Sequence, residues 1–195
     1  MIDIVLARFN EDVWWTHDLG RHCRIFTYNK GSGPPPHLPN IGREAHTYFH
    51  HLTRIYGQFS VWTFFSQADP ATHLHKPLQD IIRAFPKTDH EAAFYIEGGP
   101  IFYSNAPVRY AGAAEKQNEE KGVGEVWSAL FTSELPKDIL FAPGAIFAIT
   151  AEKLMTRSLA FYGKAMELAA TRPRGPWEFE RIWAYLWTSS AATRL

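Results

Sequence analysis

Cysteine is nearly missing from this chain: Cys23 is the single thiol among 195 residues. An internal disulfide framework is therefore excluded, and a chain of this length does not need one, since it buries roughly 70% of the surface its unfolded form exposes. Cys23 stands in the alternating stretch Cys23-Arg24-Ile25-Phe26-Thr27-Tyr28, where a buried thiol acting as a small hydrophobe is the ordinary reading. Charge of one sign is missing too. Twenty basic residues balance twenty acidic ones, so no overall field draws the protein onto nucleic acid or an anionic membrane, and partners must be recognised locally. Long apolar runs are the third absence. The opening run over 2–7 is too short, and too soon followed by charge, for a signal peptide, and no window approaches the ~20 apolar residues of a membrane span. The expectation is one domain in a reducing, cytoplasmic setting, with no nucleic acid partner and no membrane span.

Aromatic residues are what the chain has in abundance, with seven Trp, eight Tyr and fourteen Phe. Most of such rings build a core. Some can instead line a pocket for a flat or sugar-like ligand, whose C–H surfaces pack on ring faces.

Residues 2–7 form a β-branched and aliphatic run that reads as a buried strand, followed by the polar turn Arg8-Phe9-Asn10-Glu11-Asp12 and a helix over 13–19. A second strand over 23–28 is stopped by Asn29-Lys30-Gly31-Ser32-Gly33 and Pro34-Pro35-Pro36. This β-α-β order favours a parallel pair with a right-handed crossover. Large residues at 41, 45, 48, 49, 52, 55 and 56 have helical spacing, with Asn40 as the expected N-cap and Gly57 as the stop. A third strand over 60–65 runs into Ser66-Gln67-Ala68-Asp69-Pro70. Further on, a short helix over 78–85, a strand over 92–96, a turn at 98–100 and a loop or lid over 111–124 are expected. A strand within 141–149 then leads to one long helix capped by Thr150 and running to about 170. Arg172-Pro173-Arg174-Gly175-Pro176 breaks it, and the last helix starts near Trp177. The fold class is α/β, a single domain over 1–195 with a mixed, mostly parallel sheet flanked by helices.

In open α/β sheets ligands gather at the C-terminal ends of strands, where loops and helix starts supply unpaired N–H groups. Three strand ends carry polar tails here: Arg8 to Asp12, Asn29-Lys30-Gly31, and Gln67 to His73. Any one of these tails is ordinary turn chemistry; three together point to a site. Asp69, with Gln67 before it and His73 after it, offers oxygen and nitrogen ligands for one divalent ion such as Mg²⁺ or Mn²⁺. The rival reading is Asp69-Pro70 capping the next turn. His46 and His50 lie four apart on one helix face, and a zinc site shared with His73 and His75 is conceivable, but no His-Glu-x-x-His arrangement supports it. His50 and His51 read as surface or satisfied, partly buried residues. Glu178 and Glu180 flank Phe179, so only one of them can face inward; either is a candidate general base, and either can simply favour the dipole of its helix.

The segments Ala7-Arg8-Phe9-Asn10-Glu11-Asp12, Tyr28-Asn29-Lys30-Gly31, Leu38-Pro39-Asn40-Ile41-Gly42-Arg43-Glu44-Ala45-His46-Thr47-Tyr48, Phe64-Phe65-Ser66-Gln67 and Glu180-Arg181-Ile182-Trp183 resemble an uncharacterised domain family of fungi and bacteria over nearly the whole chain. Its layout in turn resembles the GT-A (nucleotide-diphospho-sugar transferase) glycosyltransferase fold. On that resemblance Arg8, Asn10 and Glu11 lie near the nucleotide, Gln67-Ala68-Asp69 takes the place of the Asp-x-Asp metal motif with Gln67 where the first aspartate belongs, and Gly144 to Phe147 with Glu180 borders the acceptor. Lys30 and Arg43 are the expected phosphate charges, and Asn40-Ile41-Gly42-Arg43-Glu44 is the expected ligand-facing helix start. The function implied is transfer of a sugar from a nucleoside-diphosphate sugar to a carbohydrate or other hydroxyl acceptor, with Mn²⁺ or Mg²⁺ as cofactor. Two alternatives stand beside it: a metal-dependent hydrolase using Asp69, His73 and His46, and a non-catalytic carbohydrate-binding or scaffold domain.

Overall fold

Among the described residues, six strands form one mixed sheet in the order β2-β1-β3-β6-β4-β5. They are β1 (Ile2–Arg8), β2 (Cys23–Asn29), β3 (Trp62–Gln67), β4 (Ala92–Ile96), β5 (Gly99–Phe102) and β6 (Ile146–Thr150). The computed structural model describes residues 1–70, 74, 77–84, 92–96, 99–102, 122–136, 139 and 144–188. β1 pairs in parallel with both β2 and β3, whereas β6 runs antiparallel to β3 and β4, and β5 antiparallel to β4. Four strands thus point one way, but most neighbour pairings are antiparallel. The turn expected at 98–100 is partly strand, because Gly99 and Pro100 open β5.

Strand alternation sorts the side chains onto two faces. One face carries Val5, Tyr28, Phe65, Phe147 and Ile149 and is covered by α1 (Arg43–Arg54), α3 (Val123–Leu130), α5 (Leu159–Thr171) and α6 (Gly175–Thr188). Here the rings concentrate: Trp183 lies parallel to Trp187 and against Phe49, Phe147 and Phe179. The opposite face carries Ile4, Leu6, Trp62, Phe64 and Ala148 and is covered by a 3-10 helix (Trp14–Leu19) and α2 (Leu78–Ala84). Among the described residues the aromatic rings are therefore largely core, as their ordinary reading holds.

Two helix boundaries differ from the sequence expectation. Asn40 does not cap α1; Gly42 does, in the left-handed region at φ 61°. The reason is packing, since a Cβ at Gly42 would stand 2.6 Å from the carbonyl oxygen of Ala169 on α5, so only glycine lets the two helices approach. The single helix expected from Thr150 to about 170 is two, α4 (Ala151–Met155) and α5. Thr150 caps the first by accepting from Lys153 N, and Ser158 caps the second by accepting from Phe161 N at 3.0 Å. Each hydroxyl satisfies an orphan N–H and so starts its own helix.

At the far end of β1 a buried carboxylate ties three segments. Asp3 accepts from Arg24 Nε at 2.6 Å and Nη2 at 2.8 Å, and from Ser60 N at 2.9 Å and Oγ at 2.8 Å. Burial pushes its pKa upward, but the hydrogen bonds from Arg24 and Ser60 outweigh it and hold the group below its ordinary value. This knot fixes β1, β2 and the entry to β3 in register.

Candidate functional site

Topology brings the polar segments to one edge. β1, β2 and β3 are parallel, so Arg8, Asn29 and Gln67 end together, with Arg8 opposite Asn29 and Ala7 opposite Gln67. β6 is antiparallel and therefore begins where β3 ends, which delivers Gly144 and Ala145 to the same edge. The crossover helix α1 also starts there, because it leaves the end of β2 and returns toward the start of β3.

A cleft of about 100 Å³ opens at this edge, lined by Arg43, Glu44, Ala45, Gln67, Gly144, Ala145, Pro176, Trp177, Glu180 and Trp183. Six of these, Arg43, Glu44, Gln67, Gly144, Ala145 and Glu180, are among the residues or segments expected from the sequence. Glu180 Oε1 accepts from Gly144 N at 2.8 Å, which joins α6 to the loop entering β6. The Arg43 guanidinium lies 5.4 Å from the ring centre of Trp177 and 3.7 Å from Glu44 Oε2. Tyr48 Oη donates to the carbonyl of Ala145 at 2.9 Å and fixes the opposite wall.

Two independent features mark this cleft. Among the described residues, the non-glycine residues with positive φ are Arg43 at 44° and Ala145 at 51°, and both line it. Such conformations cost of order 1–3 kcal/mol each and concentrate at ligand sites. In addition, Gln67 Nε2 and Trp183 Nε1 are buried donors without a hydrogen-bond partner among the described residues. Four other buried polar atoms, His46 Nδ1, Thr47 Oγ1, His51 Nε2 and Thr63 Oγ1, are also without a partner among the described residues, but none of their residues lines the cleft; donors left open beside a cavity are available to a ligand.

A second cleft, of about 270 Å³, opens beside Arg8, Asp12, Val13, Trp14, His17, Thr27, Asn29, Pro34 and Pro35. Arg8 is next to Ala7 in β1 and so faces the side of the sheet opposite Gln67; the two clefts flank the same edge. Arg8 is held by its bond to Asn29 Oδ1 at 2.5 Å and by Nε donating to the Glu11 carbonyl at 2.6 Å. Trp14 is 73% exposed and stacks on His17 at 4.8 Å, which leaves a broad aromatic face open to solvent.

The remaining expected residues divide as follows. Glu11 Oε2 accepts from Phe9 N and Asn10 N, and Asn10 Oδ1 accepts from Ser32 N and Oγ, so both organise the turn after β1. Lys30 donates to the carbonyls of Ile41 and Arg43, supporting the start of α1; burial lowers its pKa to about 8 against the pull of Glu44. Asn40 lies exposed on the approach to that helix. Glu178 is 2% exposed and takes both Arg172 Nε and Nη2, while Arg172 Nη1 reaches Glu125 on α3. It is therefore a structural ion pair and does not line the cleft. His51, read as a surface or partly buried residue, is fully buried, its Nδ1 3.0 Å from Tyr28 Oη. His46 is buried as well, and burial together with the charges of Lys30 and His50 lowers its pKa to about 4.

For a divalent ion the described chain offers little. Asp69 is exposed past the end of β3, His73 lies outside the described residues, and no group of three His, Cys, Asp or Glu side chains suited to a metal occurs among the described residues. The described residues do not fit a Mn²⁺ or Mg²⁺ site. The expected lid over 111–124 also lies outside the described residues, apart from 122–124 at the start of α3. Among the described residues no helix is long and apolar enough to cross a membrane.

The sequence marks Trp177 only as the start of the last helix and Trp183 within the segment Glu180-Arg181-Ile182-Trp183, yet with Glu180 they fall at steps of three on α6 and so share one face. That mixed aromatic and acidic stripe was the available signal. Fold and site together define an α/β domain with a polar, donor-rich cleft at the C-terminal edge of its parallel strands. The chain belongs to the protein family of unknown function DUF3431, whose model matches residues 4–193. Neither a curated protein nor a solved structure matches it.

Proposed function

We propose that this protein is a glycosyltransferase of GT-A-like layout that moves a sugar from a nucleoside-diphosphate sugar to a hydroxyl acceptor. The observation that carries this reading is the first cleft, where an aromatic face (Trp177), carboxylates (Glu44, Glu180) and unpaired donors (Gln67 Nε2, Trp183 Nε1) meet. A sugar ring needs that combination: C–H faces against a ring, and hydroxyls that both donate and accept. Size supports the division of labour. The first cleft is far below the roughly 300–1,000 Å³ of a typical small-molecule site, whereas the second approaches it and adds the Trp14 face and Arg8. A nucleotide on the second cleft places its diphosphate across the sheet edge, between Arg8 and Arg43, with the sugar in the first.

In this reaction the acceptor hydroxyl attacks the anomeric carbon, the bond from that carbon to the diphosphate oxygen breaks, and the nucleoside diphosphate leaves. Glu180 is the candidate base. Gly144 N–H holds one of its oxygens, which orients the other toward the hydroxyl whose proton it takes. Arg43, a guanidinium near a helix start, balances the charge that develops on the leaving group.

The test is turnover of nucleoside-diphosphate sugars, followed as release of nucleoside diphosphate with and without a panel of hydroxyl acceptors. Glu180→Gln is expected to lower kcat by about 10²–10⁴-fold while leaving donor binding intact. Full activity in Glu180→Gln would remove it as the base.

A further inference from the structure

We infer that the sugar taken by the first cleft carries an N-acyl group, and that Trp183 Nε1 and Gln67 Nε2 are the donors that read its carbonyl oxygen. The inference rests on the sugar-binding reading above and names the substrate class within it.

Trp183 is 1% exposed, lines the cleft, and its indole N–H has no partner among the described residues. An indole nitrogen donates and never accepts. Gln67 Nε2, at the end of β3 and in the lining of the same cleft, is likewise a buried donor without a partner among the described residues. A ligand satisfies both with two acceptors or with one acceptor that has two lone pairs. An amide carbonyl oxygen does so and, unlike a hydroxyl, needs no partner for a proton of its own. A carboxylate on these two donors is disfavoured for a different reason: the lining carries Glu44 and Glu180 against the one cation Arg43, which the diphosphate already takes. Ala45 and Ala145, both buried, supply small apolar walls against which an acyl methyl packs. The volume of about 100 Å³ suits such a substituent and part of one ring.

Ligand-observed NMR of the full chain with N-acetylglucosamine, N-acetylgalactosamine, glucose and glucuronate tests this directly, with uridine and guanosine diphosphates as separate arms. The expected result is an N-acetylhexosamine bound at least tenfold more tightly than glucose or glucuronate. Gln67→Glu, which keeps the shape and turns the donor into an acceptor, is expected to bring the N-acetyl sugar down to the level of glucose. Gln67→Met, which removes the donor at equal volume, is expected to do the same. Equal binding of glucose and N-acetylhexosamine, tightest binding of glucuronate, or undiminished N-acetylhexosamine binding in Gln67→Glu overturns the inference. If nucleoside diphosphates bind and the N-acetyl group brings no gain, the inference fails and the transferase reading stands. If an N-acetylhexosamine binds selectively and no nucleotide does, the transferase reading fails and the inference stands.

Discussion

At the scale of single residues, two buried polar arrangements have opposite energetic signs. Asp3 is saturated, with Arg24 and Ser60 supplying four hydrogen bonds. Asp3→Ala strips Ser60 N–H and Oγ–H of their acceptor and leaves Arg24 unpaired, so it is expected to cost about 3 kcal/mol in urea unfolding. Because the pKa of Asp3 is held down in the folded state, its contribution is present above the unfolded carboxylate value and is lost as pH falls below it. Gln67 is the reverse case. Its Nε2 is buried and unpartnered, which costs about 1–3 kcal/mol in the free protein. Gln67→Met is therefore expected to leave the ligand-free melting temperature unchanged or raised; a marked drop would mean that the amide already has a structural partner.

Legibility at this scale followed chemistry. Arg43, Gln67 and Glu180 stood out in the sequence because polar residues beside strand and helix ends are informative, Gly144 came only with the glycosyltransferase resemblance, and all four share one cleft. Trp177 and Trp183 did not, since an aromatic at helical spacing reads as core, and Trp183 is core and cleft wall at once. Glu178 and Glu180 were indistinguishable without Arg172, whose approach to Glu178 depends on the turn before α6.

Among the elements, α1 contributes Arg43, Glu44 and Ala45 to the cleft and carries an acid-sensitive core. Burial lowers the pKa of His46 to about 4 and of His51 to about 3, and also lowers that of His50. The unfolded chain protonates these rings near pH 6.5, while the folded helix does not until pH is much lower. Stability is thus fully present above about pH 6.5 and falls as pH drops toward 4. Urea midpoints measured at pH 7, 6 and 5 are expected to decline steadily, and His51→Gln is expected to flatten that decline. A midpoint unchanged from pH 7 to 5 would contradict the assignment. Gly42 is the second pressure point: Gly42→Ala places a Cβ against Ala169 O at a left-handed position and is expected to cost about 2 kcal/mol or more. The sequence pattern located α1 but put its start at Asn40, because cap chemistry is local whereas the Gly42 contact with α5 joins residues far apart in the chain. The same limit merged α4 with α5, although Ser158 is as ordinary a cap as Thr150.

Over the whole molecule, the β-α-β opening was readable because its periodicities are strong and its crossover is short. The antiparallel placement of β6 between β3 and β4 was not, since strand order is set by pairing between distant segments. That placement completes the site, bringing Gly144 and Ala145 to the edge where β1, β2 and β3 end. The clefts on either side of this edge are the basis for reading the protein as a two-part binder of nucleotide and sugar.

The most direct test of that account is thermal unfolding of the protein with nucleoside diphosphates and their sugars, in wild type and in Arg8→Ala. A ligand at 100 times its Kd adds about 2.7 kcal/mol, roughly 5–10 °C for a domain of this size. The account predicts such a shift with one nucleoside diphosphate, a further shift with its sugar conjugate, and a reduced response in Arg8→Ala. No shift with any nucleotide or nucleotide sugar would contradict it.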